Sequence, residues 1–335
     1  MKSIALVVLN YNGLELLQQF LGDVIAHSPE ADVVLIDNHS TDGSTDWFKT
    51  HHPELQCIEL DKNYGYAGGY NEGLKHVKHR FYGLLNSDLW VPRQWLPPLL
   101  HQFELQPEVA ILQPHILDYN KKSHFEYAGA AGGYIDQYGL PFCRGRILKT
   151  IEQDTGQYDQ VDTIFWASGA CFLIRSEVFW KLEGFDIDFF AHQEEIDLCW
   201  RAFNQGYKTQ SVGTSKVYHV GGATLAPSVQ KVFLNHRNSL YMLAKNLPKQ
   251  KRFLILLTRL TLDGFIGLGY CIQFKFLHTW AIIRAHFEFY RTFKRMIKKG
   301  NGQPRKTNYF FSNNILSNYF LKRRLYFSNL DKKFK

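Results

Sequence analysis

The residues best placed to do chemistry in this chain are Asn86-Ser87-Asp88. They follow an apolar run, Phe81-Tyr82-Gly83-Leu84-Leu85, that reads as a buried strand. A carboxylate at the end of such a strand is well set to hold a hard divalent cation, and such a cation can hold a diphosphate. Asn, Ser and Asp also make ordinary turns, so the triplet alone decides nothing. It gains weight from polar groups at similar points upstream. Asn10-Tyr11-Asn12-Gly13 follows the run Ile4–Leu9, Asp37-Asn38-His39-Ser40 follows Val33–Ile36, and Asn63-Tyr64-Gly65-Tyr66-Ala67-Gly68-Gly69 follows Cys57–Leu60. In an open parallel sheet, ligands bind outside the carboxyl ends of the strands, where all of these groups fall.

The elements that must position them alternate. A helical pattern runs through Leu14, Leu17, Leu21 and Ile25, a turn at Thr41–Ser44 leads into a helix around Trp47, and Tyr70–His79 is a further helix candidate. Strands interleaved with helices predict a parallel α/β sheet covered on both faces. From Val109 the rhythm changes. Val109–Leu112 reads as a strand, Tyr127–Gly145 as loops and short strands, Ile164–Ile174 as an apolar segment, Gly184–Phe190 as a loop, Glu194–Asn204 as a helix, and Gly213–Gly222 as containing one more strand. Lys245–Lys299 is helical, apolar and basic, and beyond Gly300 little order is legible.

The net charge of +8 is unevenly spread: 19 of the 39 Lys and Arg but 28 of the 31 Asp and Glu precede residue 245, leaving −9 there and +17 beyond. Such a basic block suits an anionic membrane surface or a nucleic acid, or is simply a solvated face. Aromatic and aliphatic residues run through it, which favours the membrane, and we expect no nucleic-acid partner. Packing on the catalytic domain or a homodimer interface is the alternative use of these helices. The longest apolar stretches, around Phe253–Leu257 and Gly264–Phe274, are broken by Arg259, Asp263 and Lys275 below the ~18 residues of a spanning helix. The N-terminus lacks the pattern of a signal peptide. Five widely spaced cysteines without C-x-x-C disfavour zinc and a disulfide framework and fit a reducing compartment. A cytoplasmic protein, peripheral on the inner face of the membrane, is the expectation.

A dinucleotide fold shares the alternating rhythm, but it needs G-x-G-x-x-G after the first strand, where only Gly13 stands, and no P-loop motif occurs. The blocks Val7 to Gly13, Asp37 to Ser44, Asn63 to Asn71 and Leu85 to Asp88 instead resemble the successive blocks of family 2 glycosyltransferases. Gly184-Phe185-Asp186 through Glu194-Glu195-Ile196-Asp197-Leu198-Cys199-Trp200-Arg201 resembles that family's acceptor-side block, and Tyr218-His219-Val220-Gly221-Gly222 its closing metal-side block. The resemblance runs from about Met1 to Leu243 and is nearest to the rhamnosyltransferase-like branch of bacterial surface-polysaccharide synthesis. It implies a GT-A fold over residues 1–244, with a nucleotide-sugar half over about 1–110 and an acceptor half over 111–244. Residues 245–335 would form a basic, aromatic helical tail.

The resemblance further implies inverting transfer of a sugar from a nucleoside-diphosphate donor, dTDP-rhamnose or a UDP-sugar, to a glycan or lipid-linked glycan. Asp37 is then the candidate acceptor for the base's N–H, and Tyr11 could pack on the base or be a half-buried core aromatic. Asn10, Asn12, Asn38, Asp42, Asn63, Gly68, Asn71, Asn86 and Ser87 would line the donor site. Mg²⁺ or Mn²⁺ would be held by Asp88 and His219, with Asn86 standing where the family often has a second carboxylate. The acidic pair Glu194-Glu195 occupies the place of the family's general base, and by position Glu195 matches it. Adjacent helix residues point about 100° apart, so both cannot face an acceptor equally. Trp166 and Gly169 could form a sugar-stacking surface, with core packing the equal alternative for the indole, and His192 would shape acceptor choice. The competing classes are a nucleotidyltransferase, which would want a basic triphosphate loop absent from Asn10–Gly13, and a binding module that has lost catalysis.

Overall fold

The computed structural model describes residues 2–221 and 228–331. Gly222, part of the expected closing block, lies outside the described residues. The first half alternates as its periodicity predicts: β1 (Ile4–Asn10), α1 (Leu14–Ala26), β2 (Ala31–Asp37), α2 (Ser44–His51), β3 (Gln56–Glu59), α3 (Gly65–Leu74), β4 (Phe81–Asn86) and β5 (Leu89–Trp90). After α4 (Pro97–Leu105) and β6 (Val109–Asp118), four short strands follow: β7 (Gly133–Ile135), β8 (Pro141–Cys143), β9 (Arg146–Ile147) and β10 (Thr150–Ile151). Then come β11 (Asp162–Ile164), β12 (Cys171–Arg175), α5 (Ser176–Lys181), α6 (Glu194–Asn204) and β13 (Lys208–His219). Three long helices follow, α7 (Val229–Asn246), α8 (Lys249–Ile272) and α9 (Phe276–Lys299), and after them short helical turns at Ser317–Leu321 and Phe327–Asn329.

The main sheet runs in the order β11-β13-β6-β12-β4-β1-β2-β3, with β5 on β13, and the four short strands make a second sheet. Strands β1 to β4 are parallel, whereas β12 is antiparallel to both β4 and β6. Along β1, Ile4, Leu6 and Val8 enter one core cluster and Ala5 and Val7 the other, because successive side chains leave opposite faces and both faces are covered. Register sets Asn10 opposite Asp37 and Leu9 opposite Asn86, so the polar strand ends meet at one edge of the sheet.

Helix α3 departs from expectation. It begins at Gly65 and ends at Leu74 rather than covering Tyr70–His79. Its glycines are poor helix formers, but a Cβ on Gly73 would come within 2.2 Å of the Ile36 side chain, and one on Gly69 within 2.9 Å of Leu9. Close approach to β1 and β2 outweighs the propensity cost of roughly 1 kcal/mol per glycine.

The C-terminal third packs against the rest. Tyr309, Phe311, Phe327 and Leu330, in the stretch where the sequence shows no periodicity, are buried in the same cluster as Tyr134 and Phe142. Lys245 of α7 is buried, with Nζ 2.6 Å from Asp186 Oδ2 and 2.9 Å from Asp197 Oδ2. Arg201 also pairs with Asp197 at 2.8 Å, as expected along one helix face. Burial alone would raise the Asp197 carboxyl, but Lys245 and Arg201 hold it below the usual range. Lys245→Met would leave two buried carboxylates short of a cation. We expect it to cost about 3 kcal/mol, measured as a shift in the guanidinium unfolding midpoint, and a loss below about 1 kcal/mol would mean the remaining cations suffice.

Helix α8 is, by length and composition, long and apolar enough to cross a membrane. This differs from the expectation that Arg259 and Asp263 interrupt it. The two pair with each other at 2.9 Å inside the protein, one helical turn apart, so neither charge faces outward.

Candidate active site

The carboxyl ends of β1 and β2 are tied by a polar cluster. Asn10 Nδ2 donates to Asp37 Oδ1 (3.0 Å) and Ser44 Oγ (2.9 Å), and the Ser40 amide donates to Asp37 Oδ2 (2.9 Å). Asp42 accepts from the Leu14 amide at 2.9 Å and the Ser44 amide at 3.1 Å, serving the first turns of α1 and α2 together. Asn12, with φ +51°, accepts from the Thr41 amide at 2.8 Å. Tyr11 is exposed beside this cluster at 53%. Asn38 accepts from the Tyr64 amide at 2.9 Å and donates to Asn63 Oδ1 at 3.0 Å, which links β2 to the start of α3. These residues are brought together as a shaped rim, although the side chains of Asp37 and Asn38 are buried and spent largely on holding loops.

Four expected positions lie outside these contacts. Asn71 bonds both backbone groups of Phe185, at 2.8 and 2.9 Å, and so fastens α3 to the loop after α5. Trp166 is buried, packs its indole on Gly133 and donates to the Tyr134 carbonyl at 2.9 Å, leaving no ring face for a sugar. Gly68 presents its α-carbon to Tyr64, whose Cβ would lie 2.9 Å from an added Cβ. Ser87 sits beside Gly13, its Oγ 3.5 Å from where a Cβ would be.

One cavity of about 540 Å³ gathers most of the rest: Asn86, Asp88, Gly169, His192, Glu194, Glu195 and His219 all line it. Within it, His219 Nε2 lies 3.0 Å from Asp88 Oδ1 and 3.3 Å from the Asn86 amide nitrogen. On its other side, His219 Nδ1 lies 3.6 Å from Glu126 Oε1. Burial alone would lower the imidazole, but the Asp88 and Glu126 carboxylates overcome it and raise the group to about 10. Burial opposes ionisation of Asp88 too, and its bond to His219 still holds the carboxyl below the ordinary range. Sequence reasoning missed Glu126. No local signal marks it, since it lies in the irregular segment after β6 and reaches His219 only through the fold.

Asp88 and His219 offer an oxygen and an imidazole nitrogen to the same space, a donor set suited to Mn²⁺ or Mg²⁺ once the imidazole gives up its proton. A second cluster with ligand-like spacing, His115, Asp154 and Asp159, lies outside this cavity. There the Lys216 ammonium already sits 2.6 Å from Asp154 and 3.3 Å from Asp159, neutralising the pair.

Glu194 and Glu195, opening α6, line the same cavity, each with a carboxylate oxygen that has no hydrogen-bond partner. Burial, and then the charge of Glu195, push the Glu194 carboxyl well above its usual range. Burial raises Glu195 to about 7, against the pull of backbone N–H groups at the start of the helix. Of the pair, Glu195 is the one that ionises near neutrality. A Cβ on Gly169 would lie 3.8 Å from the Glu195 carboxyl carbon and 3.1 Å from Tyr66 Oη, so glycine keeps this wall open. Burial and Lys231 lower His192 to about 4, so it is neutral at pH 7.

The approach to α6 is strained. Phe190, His192 and Gln193 have φ of 63°, 71° and 70°, values that non-glycine residues adopt only when surroundings impose them. Those surroundings are α7: the Asn238 side-chain amide lies within 2.9 Å of the carbonyls of Phe189, Ala191 and His192, and Gln193 donates to Ser239 Oγ at 2.8 Å.

The model of glycosyl transferase family 2 matches residues 5–183. The chain belongs to this family. A low-salt glycan biosynthesis hexosyltransferase of Haloferax volcanii is 24% identical over 59% of this chain, which spans 61% of that protein's length. An N-acetylglucosaminyl-diphospho-decaprenol L-rhamnosyltransferase of Mycobacterium tuberculosis is 24% identical, over 64% of this chain and 74% of its own. Among solved structures, GalNAc-T7 with UDP, GalNAc and Mn²⁺ superposes with a TM-score of 0.60 at 17% identity, over 75% of this chain and 49% of that one. The fold of this family 2 chain is therefore GT-A, with a helical C-terminal region.

Proposed function

We propose that this chain is an inverting, divalent-metal-dependent glycosyltransferase. It moves a sugar from a nucleoside-diphosphate donor, dTDP-rhamnose or a UDP-sugar, to a glycan or lipid-linked glycan in surface-polysaccharide synthesis. The observation that carries this reading is one cavity lined by Asp88, His219 and Glu195 together. The likeness to a rhamnosyltransferase acting on a lipid diphosphate, and to a GalNAc-T7 structure holding UDP and Mn²⁺, supports it.

Asp88 and His219 would hold the metal ion, which supplies Lewis-acid stabilisation of the charge that builds on the departing diphosphate. The rim at the ends of β1 and β2 would seat the nucleoside, with Tyr11 against the base and Asn12, Asp42 and Ser87 shaping the entrance. Glu195 takes the proton of the acceptor hydroxyl as that oxygen attacks the anomeric carbon from the face opposite the leaving group. One displacement inverts the anomeric centre. Residues 1–244 would suffice for the chemistry, with residues 245–335 serving location and support.

Glu126 would orient the metal-binding histidine by accepting from Nδ1, the carboxylate–histidine arrangement that raises ligand basicity. We expect Glu126→Gln to weaken Mn²⁺ affinity roughly 10–100-fold, read from the electron paramagnetic resonance of free Mn²⁺, with an unchanged melting temperature. The reading as a whole is tested by titrating UDP-, dTDP- and GDP-sugars with and without Mn²⁺. Metal-dependent binding of one donor, with slow release of its nucleotide, is expected. Binding of none, or product of retained anomeric configuration, would overturn it.

A further inference from the structure

Helices α8 and α9 pack their inner faces on α7. Val232, Phe233 and Leu234 of α7 form one cluster with Ala281, Ile282 and Ala285 of α9, with Tyr270 of α8 and Ala191 packed against it. The outer faces carry large apolar side chains that touch solvent. Phe253, Phe265, Ile272 and Phe274 are 78%, 69%, 71% and 82% exposed, and Phe276 and Trp280 are 61% and 54% exposed. Scattered exposed apolar residues are ordinary, but this many large ones on two neighbouring helices mark a surface that something covers.

Charge says what covers it. Residues 249–299 hold eleven Lys and Arg and two carboxylates. Of these two, Asp263 is buried against Arg259, His236 and His286, and Glu288 pairs with Arg291. Two more of the cations, Arg295 and Lys299, pair with Asp188 and Asp186 outside the hairpin, while Lys249, Lys251, Lys294 and Lys298, near its two chain ends, are exposed and the turn between the helices is mainly apolar. A second copy of this chain would set like charge on like charge. A nucleic acid would stack on the Phe and Trp rings but leave the exposed Leu254, Leu268 and Ile272 without a partner. An anionic bilayer satisfies both features: headgroup phosphates meet Lys and Arg, and the acyl boundary takes Phe, Leu, Ile and Trp. Because Arg259 and Asp263 hold one face of α8 against protein, the hairpin is suited to enter one leaflet rather than to span.

We infer that the α8–α9 hairpin is a monotopic binding surface for an anionic bilayer, and that it delivers a lipid-borne acceptor to the cavity. The second clause rests on the transferase reading above. Its geometric basis is α7, which is packed on the hairpin through Val232 and Phe233 while its Lys231 and Asn235 line the cavity beside His192.

The test is co-flotation of the full chain with vesicles of phosphatidylcholine alone and with phosphatidylglycerol, at low and high salt. Expected are binding to the anionic vesicles that weakens with salt, and quenching of Trp280 by brominated lipid that is lost in Trp280→Phe. The triple variant Phe265→Asp, Ile272→Asp, Phe276→Asp should lose binding by about tenfold or more while keeping the wild-type circular dichroism and donor hydrolysis. With native membranes as acceptor source, its transfer of labelled sugar into solvent-extractable lipid should fall in parallel. Unchanged flotation of the triple variant, or a wild-type dimer that this variant dissociates, would overturn the inference. Absence of donor hydrolysis in the wild type would instead count against the transferase reading and leave the vesicle result standing.

Discussion

Exchanging Asp88 for asparagine should lower kcat/KM for sugar transfer by roughly 10²–10³-fold. The substitution keeps the size of the side chain and an oxygen able to accept from the Gly221 amide, which lies 3.1 Å from Asp88 Oδ2. What it removes is charge at a position where the other side chain of the triplet, Asn86, is already neutral. No second carboxylate of the triplet can stand in, and His219 faces Asp88 directly at 3.0 Å. Mn²⁺ affinity and turnover should fall together, while the melting temperature shows that the fold survives. A variant that retains metal-dependent turnover within about tenfold of the wild type would move the metal away from Asp88.

Glu195→Gln should reduce kcat roughly 10²–10⁴-fold, the range for loss of a positioned proton acceptor, and leave donor binding intact. The wild-type rate should also carry a pH signature. The Glu195 carboxyl, raised by burial to about 7, accepts a proton only when ionised, so the rate should climb as pH rises through about 7 and level above it. The residual rate of the variant should lack this limb. Glu194 is pushed well above its ordinary range by burial and by the charge of Glu195, and it is not the group assigned to the limb, so Glu194→Gln should leave the limb in place. Unchanged turnover in Glu195→Gln would remove Glu195 as the base.

The contrast between these two glutamates shows where sequence reading stops. Their adjacency at the start of α6 is local and legible, and so is the helix dipole they complement. Which of them ionises depends on how deeply each is buried and on its neighbour's charge, and these are properties of the folded surroundings. The strand ends behave likewise. Asn10, Asp37 and Asn86 could be placed at one sheet edge from the period of the apolar runs, because parallel strands covered on both faces leave few other registers. That Asp37 engages the Asn10 side chain could not be read, since it required knowing the distance between two loops far apart in the chain.

Sequence alone determined the alternating sheet, the family, the triplet at the end of β4, the acidic pair at α6 and the basic, apolar character of residues 245–335. Each of these is written in spacing or composition within a short stretch. Tertiary structure alone brought Glu126 to His219, turned Trp166 into the core, packed the glycines of α3 on β1 and β2, and made α7 the brace for the strained turn before Glu194. It also separated the outer face of α8 from the side that hides Arg259 and Asp263. The reason is the same in every case: contacts between residues far apart in the chain set burial and charge environment, and no local period encodes them.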